Sequence, residues 1–310
     1  MPAIVDIVLP IFALMAVGYH AGRTHVLTNT MVQGLSRYVT HYALPALLFT
    51  SVSRADLPDR LEWGYLLSFY LSALAVFVIG AIGWLAVSRR PSELASVGLA
   101  GCYANIGAIG VPLVLGAYGS AGAVPVMLLL TLQSPLLITI ATVLAEAGRA
   151  DGRRLVAALF GVFRATLTSP AVAAIGIGLA VNIWAWSLPP VVPTTTGLIG
   201  QSLLPCSSFA IGASFALGTV RGSVGPAVVL TVLKLVVHPA LTWVLALHVF
   251  GIPQPWAGIA VTMAALPIGM TAYLFAERNN LSQGPVALAL LMSTVCSPVS
   301  ITLAAKFAGE

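Results

Sequence analysis

Apolar runs of twenty or so residues follow one another along the whole chain, joined by short stretches that hold nearly all the charge. A helix needs about 20 apolar residues to cross the ~30 Å hydrocarbon core of a bilayer. Ten such runs are predicted, at residues 4–22, 30–52, 64–88, 93–117, 121–146, 163–187, 196–219, 224–250, 255–277 and 284–307. Only 7% of the 310 residues are charged, against about 25% in a soluble domain. That is too little polar surface to clothe a water-soluble globule. A membrane barrel would show roughly ten-residue alternating segments, whereas these runs are longer and apolar on all sides. The expected fold class is an all-α polytopic membrane protein with ten transmembrane helices, leaving little chain for a soluble domain. Cys102, Cys206 and Cys296 all fall inside runs and are read as small packing residues.

The basic residues orient the chain. Numbering the joints alternately puts Arg54, Arg60 and Lys306 on the side of the N-terminus. The opposite side receives Arg23, Arg37, Arg89, Arg90, Arg149, Arg153, Arg154, Arg164, Arg221 and Arg278. Lys and Arg collect on the cytoplasmic side, so both termini are expected on the non-cytoplasmic side of a cell inner (plasma) membrane. The net charge of +5 is accounted for by this asymmetry and gives no reason to expect a nucleic-acid partner.

Two runs are interrupted near their middles. One reads Cys102-Tyr103-Ala104-Asn105-Ile106-Gly107-Ala108-Ile109-Gly110-Val111-Pro112. The other reads Ala264-Ala265-Leu266-Pro267-Ile268-Gly269-Met270-Thr271. Lipid cannot satisfy freed backbone groups, so an interrupted span must be buried in protein or line a cavity. Paired interruptions in two halves of a chain point to a transporter's binding site. The halves themselves are suggested by prolines: Pro10, Pro45 and Pro125 each recur 160 residues later as Pro170, Pro205 and Pro285. Five helices per half would turn the second half upside down. The expected organisation is residues 1–150 as the first five-helix repeat and 151–310 as the second, inverted one.

Asn105-Ile106-Gly107-Ala108-Ile109-Gly110-Val111-Pro112-Leu113 resembles the fourth helix of the auxin efflux carrier family. Ala265-Leu266-Pro267-Ile268-Gly269 is similar to its ninth. Leu132-Gln133-Ser134, Tyr42-Ala43-Leu44-Pro45 and Lys234-Leu235-Val236-Val237-His238-Pro239-Ala240 resemble steps in its fifth, second and eighth helices. The resemblance runs through essentially the whole chain and favours the compact bacterial members. It implies a scaffold of helices 1, 2, 6 and 7 and a transport domain of helices 3–5 and 8–10. In that domain, broken helices 4 and 9 cross. It also implies an organic anion as substrate, malonate, malate or related carboxylates among them, and a homodimer.

The residues around the interruptions suit an anion. A broken helix exposes N–H groups and about half a positive charge at the N-terminus of its second half, enough to bind a carboxylate. Pro112 and Pro267 cannot donate a hydrogen bond and are expected to hold the breaks open; Gly107 and Gly269 let backbone approach a ligand. Asn105 is the foremost candidate ligand contact, because its amide can donate to a carboxylate. Its alternative is to satisfy carbonyls freed at the break. Gln133 either contacts substrate or forms an interhelical bond. Ile106, Leu266 and Ile268 flank these groups, while Leu44, Leu48 and Ser207 are candidate walls beside kinks at Pro45 and Pro205. Lys234 is the only basic residue deep in a run, a position that is functional by default. It neutralises the anion, titrates during the cycle, or snorkels to the interface. His238 lies one turn on, on the same face.

The leading expectation is a secondary active carrier of mono- or dicarboxylates working by alternating access. A sodium-coupled carrier like the bile-acid symporters and a non-transporting sensor of the same fold are the alternatives. No nucleophile–base pair, metal cluster or nucleotide loop is visible, so no enzyme activity and no cofactor is expected. The coupling ion, H+ or Na+, stays open. No Asp or Glu sits at mid-span, which disfavours a carboxylate-based sodium/proton exchanger.

Overall fold

The computed structural model describes residues 2–57, 61–85, 93–147, 152–218 and 222–309. Arg60, Arg89, Arg90, Arg149 and Arg221, which enter the orientation argument, lie outside the described residues. Among the described residues the chain is helix and turn, with a single isolated β-bridge. The helices are α1 (Pro2–Arg23), α2 (Asn29–Tyr38), α3 (Leu44–Val52), α4 (Trp63–Leu85), α5 (Leu94–Cys102), α6 (Val111–Tyr118), α7 (Ala123–Gln133), α8 (Thr139–Ala147) and α9 (Gly152–Leu167). They continue as α10 (Pro170–Ile183), α11 (Val191–Gln201), α12 (Leu203–Leu217), α13 (Val224–Val232), α14 (His238–Trp243), α15 (Trp256–Ala264), α16 (Met270–Arg278) and α17 (Gln283–Gly309).

Among the described residues, five helical stretches are long and apolar enough to cross a membrane: Trp63–Leu85, Ile106–Glu146, Val191–Leu217, Val224–Val249 and Gln283–Phe307. Val156–Leu167 with Pro170–Ile183, bent by 47°, makes a sixth. Several of the ten predicted runs fall short for identifiable reasons. The runs at 93–117 and 255–277 are split at Tyr103–Asn105 and Ala265–Gly269. The stretch Ile106–Glu146 merges two predicted runs in 41 residues, about 60 Å of helix and twice the bilayer core. Gly119, at φ +57°, turns the chain between them, a conformation open chiefly to glycine. Large apolar side chains remain exposed along the long helices, such as Leu67, Leu71, Val78 and Ile82 on α4. The opposite face of α4 buries Tyr65, Phe69 and Val76. A helix apolar on every side belongs in lipid.

Prolines accompany four of the five π turns among the described residues; the fifth, Val244–Val249, has none. Wide π turns at Val39–Ala43, Ile106–Gly110 and Leu233–Val237 are each followed two residues later by Pro45, Pro112 and Pro239, and Pro135 lies inside a fourth at Ser134–Ile138. Proline lacks the N–H that would meet the carbonyl four residues earlier and clashes with it, so the turn widens. Lipid offers no replacement donor, and hydroxyls supply one. The Ala108 carbonyl, four before Pro112, accepts from Ser207 Oγ at 3.0 Å, which also leans on the Leu204 carbonyl at 3.3 Å. The Leu235 carbonyl, four before Pro239, accepts from Ser300 Oγ at 2.6 Å.

Two compact units result. The first comprises residues 1–60, 107–128 and 167–219; the second comprises 61–106, 129–166 and 220–310. Inside the first, α1 lies along α12. There Gly18 faces the Phe209 carbonyl and Gly212 the Met15 carbonyl so closely that no Cβ fits. Helices α10 and α11 flank α3, and Asn182 Nδ2 ties them with bonds to the carbonyls of Val52 (3.0 Å) and Ala55 (2.8 Å). Inside the second, α4 packs on α5, α14 and α15, and α17 runs beside α13 and α15. A hydroxyl pair, Ser72 with Thr242 at 2.7 Å, joins α4 to α14. Residues 107–128 thus group with 1–60 and 167–219, not with the flanking 61–106 and 129–166.

Candidate functional site

The two interruptions lie side by side within the second unit. Helix α5 ends at Cys102, and Tyr103 turns to extended backbone (φ −73°, ψ 111°). Ala104 then forms an antiparallel bridge with Ile268. Its two flanking bonds run from Asn105 N–H to the Pro267 carbonyl and from Gly269 N–H to the Tyr103 carbonyl, both 3.0 Å. Proline at 267 keeps its carbonyl available and cannot continue α15. Glycine at 269 is required by the close approach: a Cβ there would sit 2.8 Å from Tyr103 Cδ1 and 3.1 Å from the Ala104 carbonyl oxygen.

Neighbouring polar side chains complete the pairing. The Gln133 amide brackets Ala104 completely, with Oε1 accepting from Ala104 N–H at 3.2 Å and Nε2 donating to its carbonyl at 2.8 Å. Ala104 and Gln133 are both buried, so a bond pair replaces water that cannot enter. These two bonds join Gln133, the last residue of α7, to the strand after α5. Tyr103 OH meets Ser134 Oγ at 2.6 Å. Ser293 Oγ accepts from Ile268 N–H at 3.1 Å and donates to the Leu290 carbonyl. Sequence reasoning missed Ser293 and Ser300. The usable signal was a hydroxyl in an otherwise apolar run of a chain rich in proline breaks.

Asn105 differs from these. It is half-buried, its backbone N–H is held by the Pro267 carbonyl, and its carboxamide makes no hydrogen bond among the described residues. On the other strand, Ile268, Gly269 and Ala272 have their N–H groups committed. Among the described residues, those of Met270 and Thr271, opening α16, meet no carbonyl, and the N-cap residue Gly269 provides no side-chain cap. Leu266, Ile268 and Ile106, within or next to the paired segments, are buried.

Lys234 does not snorkel. It is 0% exposed, and its Nζ reaches His238 Nδ1 at 3.2 Å and the Ala264 carbonyl, the last of α15. His238 is equally buried and stacks obliquely on Phe69, with ring centres 5.2 Å apart.

The remaining predicted residues belong to the first unit. Gly107 lies on the helical stretch after the gap. Pro112 is in the first turn of α6, beyond the gap at Tyr103–Asn105, and shapes the preceding π turn. Pro45 likewise stands in the first turn of α3 after a π turn, and Pro205 in the first turn of α12, after the interruption at Ser202. Leu44, Leu48 and Ser207 are buried, and the Ser207 hydroxyl is engaged by Ala108.

Residues 3–305 match the family described as membrane transport protein. A "Putative malonate transporter" of Rhizobium meliloti (strain 1021) is 29% identical over 305 residues, covering 97% of this chain and 95% of that protein. An uncharacterized transporter of Methanothermobacter thermautotrophicus is 25% identical over 306 residues, 96% of each. The mouse lysosomal cholesterol signaling protein is 33% identical over 115 residues, which is 36% of this chain and 13% of that protein. A match across almost the full length, together with apolar helices and interrupted spans, leads to one assignment: the chain belongs to the membrane transport protein family, the auxin efflux carriers that its fourth- and ninth-helix motifs resemble.

Proposed function

We infer that the chain is a secondary active carrier of small organic anions, mono- or dicarboxylates. It works in the inner membrane by alternating access around a mid-membrane site where broken helices 4 and 9 cross. It spans the bilayer ten times as two inverted five-helix repeats, with both termini outside the cytoplasm, and acts as a homodimer without enzymatic activity. One observation supports this most. At the paired interruptions both backbone groups of Ala104 are satisfied, while among the described residues the Asn105 carboxamide and the first N–H groups of α16 have no partner. Unpaired donors at the N-terminus of a half-helix match a carboxylate. The malonate named for the Rhizobium relative fits that chemistry.

The test is a melting screen of the purified protein against malonate and a panel of carboxylates, in sodium and in choline, across pH. A carboxylate should raise the melting temperature. Asn105→Ala should lose that response while melting, without ligand, within about 1 °C of the parent, since truncating a half-buried, unbonded side chain costs about 0.5 kcal/mol or less. A panel without effect, or an undiminished response in Asn105→Ala, would remove the reading.

A further inference from the structure

The C-terminal end of α15 poses an electrostatic problem that Lys234 answers. In a continuous helix the Ala264 carbonyl would accept the N–H of Ile268, but that N–H is bonded to Ser293 Oγ. The interruption therefore leaves a carbonyl end, carrying about half a negative charge, inside a water-free region. Lys234 Nζ fills this position from the neighbouring helix, with His238 Nδ1 as its second partner. Among the described residues, the partners of Lys234 Nζ are His238 Nδ1 and the Ala264 carbonyl. The Lys234 amine thus meets a backbone carbonyl and a ring nitrogen, and its four-carbon stem anchors it to the π turn Leu233–Val237.

We propose that Lys234 is a tethered monovalent cation: it holds the end of α15, and through it the Leu266–Gly269 strand, in the place a coupling sodium ion would otherwise occupy. Assembly of the paired interruptions then needs no sodium. Lys234 is a positioning residue, since the strand it fixes bonds Tyr103 and Asn105. This inference rests on the carrier reading only where ligand binding is measured.

Three arms test it. The wild-type protein should melt at the same temperature in sodium chloride and in choline chloride; a rise of more than about 3 °C specific to sodium would overturn the proposal. Lys234→Ala in choline should melt about 5 °C or more lower. Methylammonium or sodium, both small enough for the vacated space, should recover at least half of that loss, whereas choline should not. Absence of rescue by either cation would make Lys234 an ordinary packing residue. If Lys234→Ala does not fold, the wild-type comparison still decides. The third arm measures malonate-induced stabilisation of Lys234→Ala with and without methylammonium, expected to return with the amine. A wild type indifferent to malonate but passing the first two arms would contradict the carrier reading and leave the tethered cation standing.

Discussion

Replacing Gln133 by methionine keeps the side-chain length and removes both amide bonds to Ala104. Among the described residues the backbone N–H and C=O of Ala104 have no other partner, and Ala104 is 1% exposed. A buried polar group stripped of its partner costs about 1–3 kcal/mol, so two give about 2–6 kcal/mol. Methionine fills nearly the same volume, which keeps the cavity contribution small. For a chain of 310 residues, an unfolding entropy of about 2.1 cal/mol/K per residue gives ~0.65 kcal/mol per degree. The expected drop in melting temperature is therefore about 3–9 °C. The assay is thermal unfolding of the purified protein by intrinsic fluorescence, with Ser134→Ala as reference, since it removes only the hydroxyl contact to Tyr103 at about 0.5–1.5 kcal/mol. A Gln133→Met variant melting within 1 °C or so of the wild type would refute the claim that this amide sustains the extended strand.

Two further substitutions probe the breaks. Ser300→Ala should cost about 0.5–1.5 kcal/mol by depriving the Leu235 carbonyl of its hydroxyl donor. In a Pro239→Ala background the cost should shrink below roughly half of that, because an alanine N–H at 239 can reach the same carbonyl; a double-mutant cycle of melting temperatures measures the difference. Gly269→Ala places a Cβ 2.8 Å from the Tyr103 ring, and that ring is pinned by Ser134. The strands must part, at about 1–3 kcal/mol, and malonate-induced stabilisation should weaken with them.

The places where the chain breaks were legible in its residues, because glycine, proline and an amide cluster there within otherwise apolar runs. Asn105, Pro267 and Gly269 fall at the gap on that logic, and Lys234 stood out as a lone charge in a span. What those residues do to one another was less accessible. Gln133 meets Ala104 across 29 positions, and Lys234 meets Ala264 across 30. Such pairings depend on helix rotation, which uniformly apolar faces do not reveal. Pro112 shows the same limit locally. Its chemistry predicts a disturbed turn, and the turn is disturbed, but the Ser207 hydroxyl absorbs the disturbance and the helix continues through it. The chain instead opens seven residues earlier, where the Gln133 amide and the Pro267 carbonyl are available to Ala104 and Asn105.

Everything proposed for this protein requires Ala104 and Ile268 to face each other across one antiparallel step. Opposed residues of this unbonded type have Cα atoms about 4.5 Å apart, inside the roughly 4.4–6.8 Å that a disulfide spans. Ala104→Cys with Ile268→Cys, in a background lacking Cys102, Cys206 and Cys296, should therefore cross-link under mild oxidation in the membrane and resist later alkylation. Two thiols that stay free and alkylate independently would place the interrupted helices apart and contradict the account.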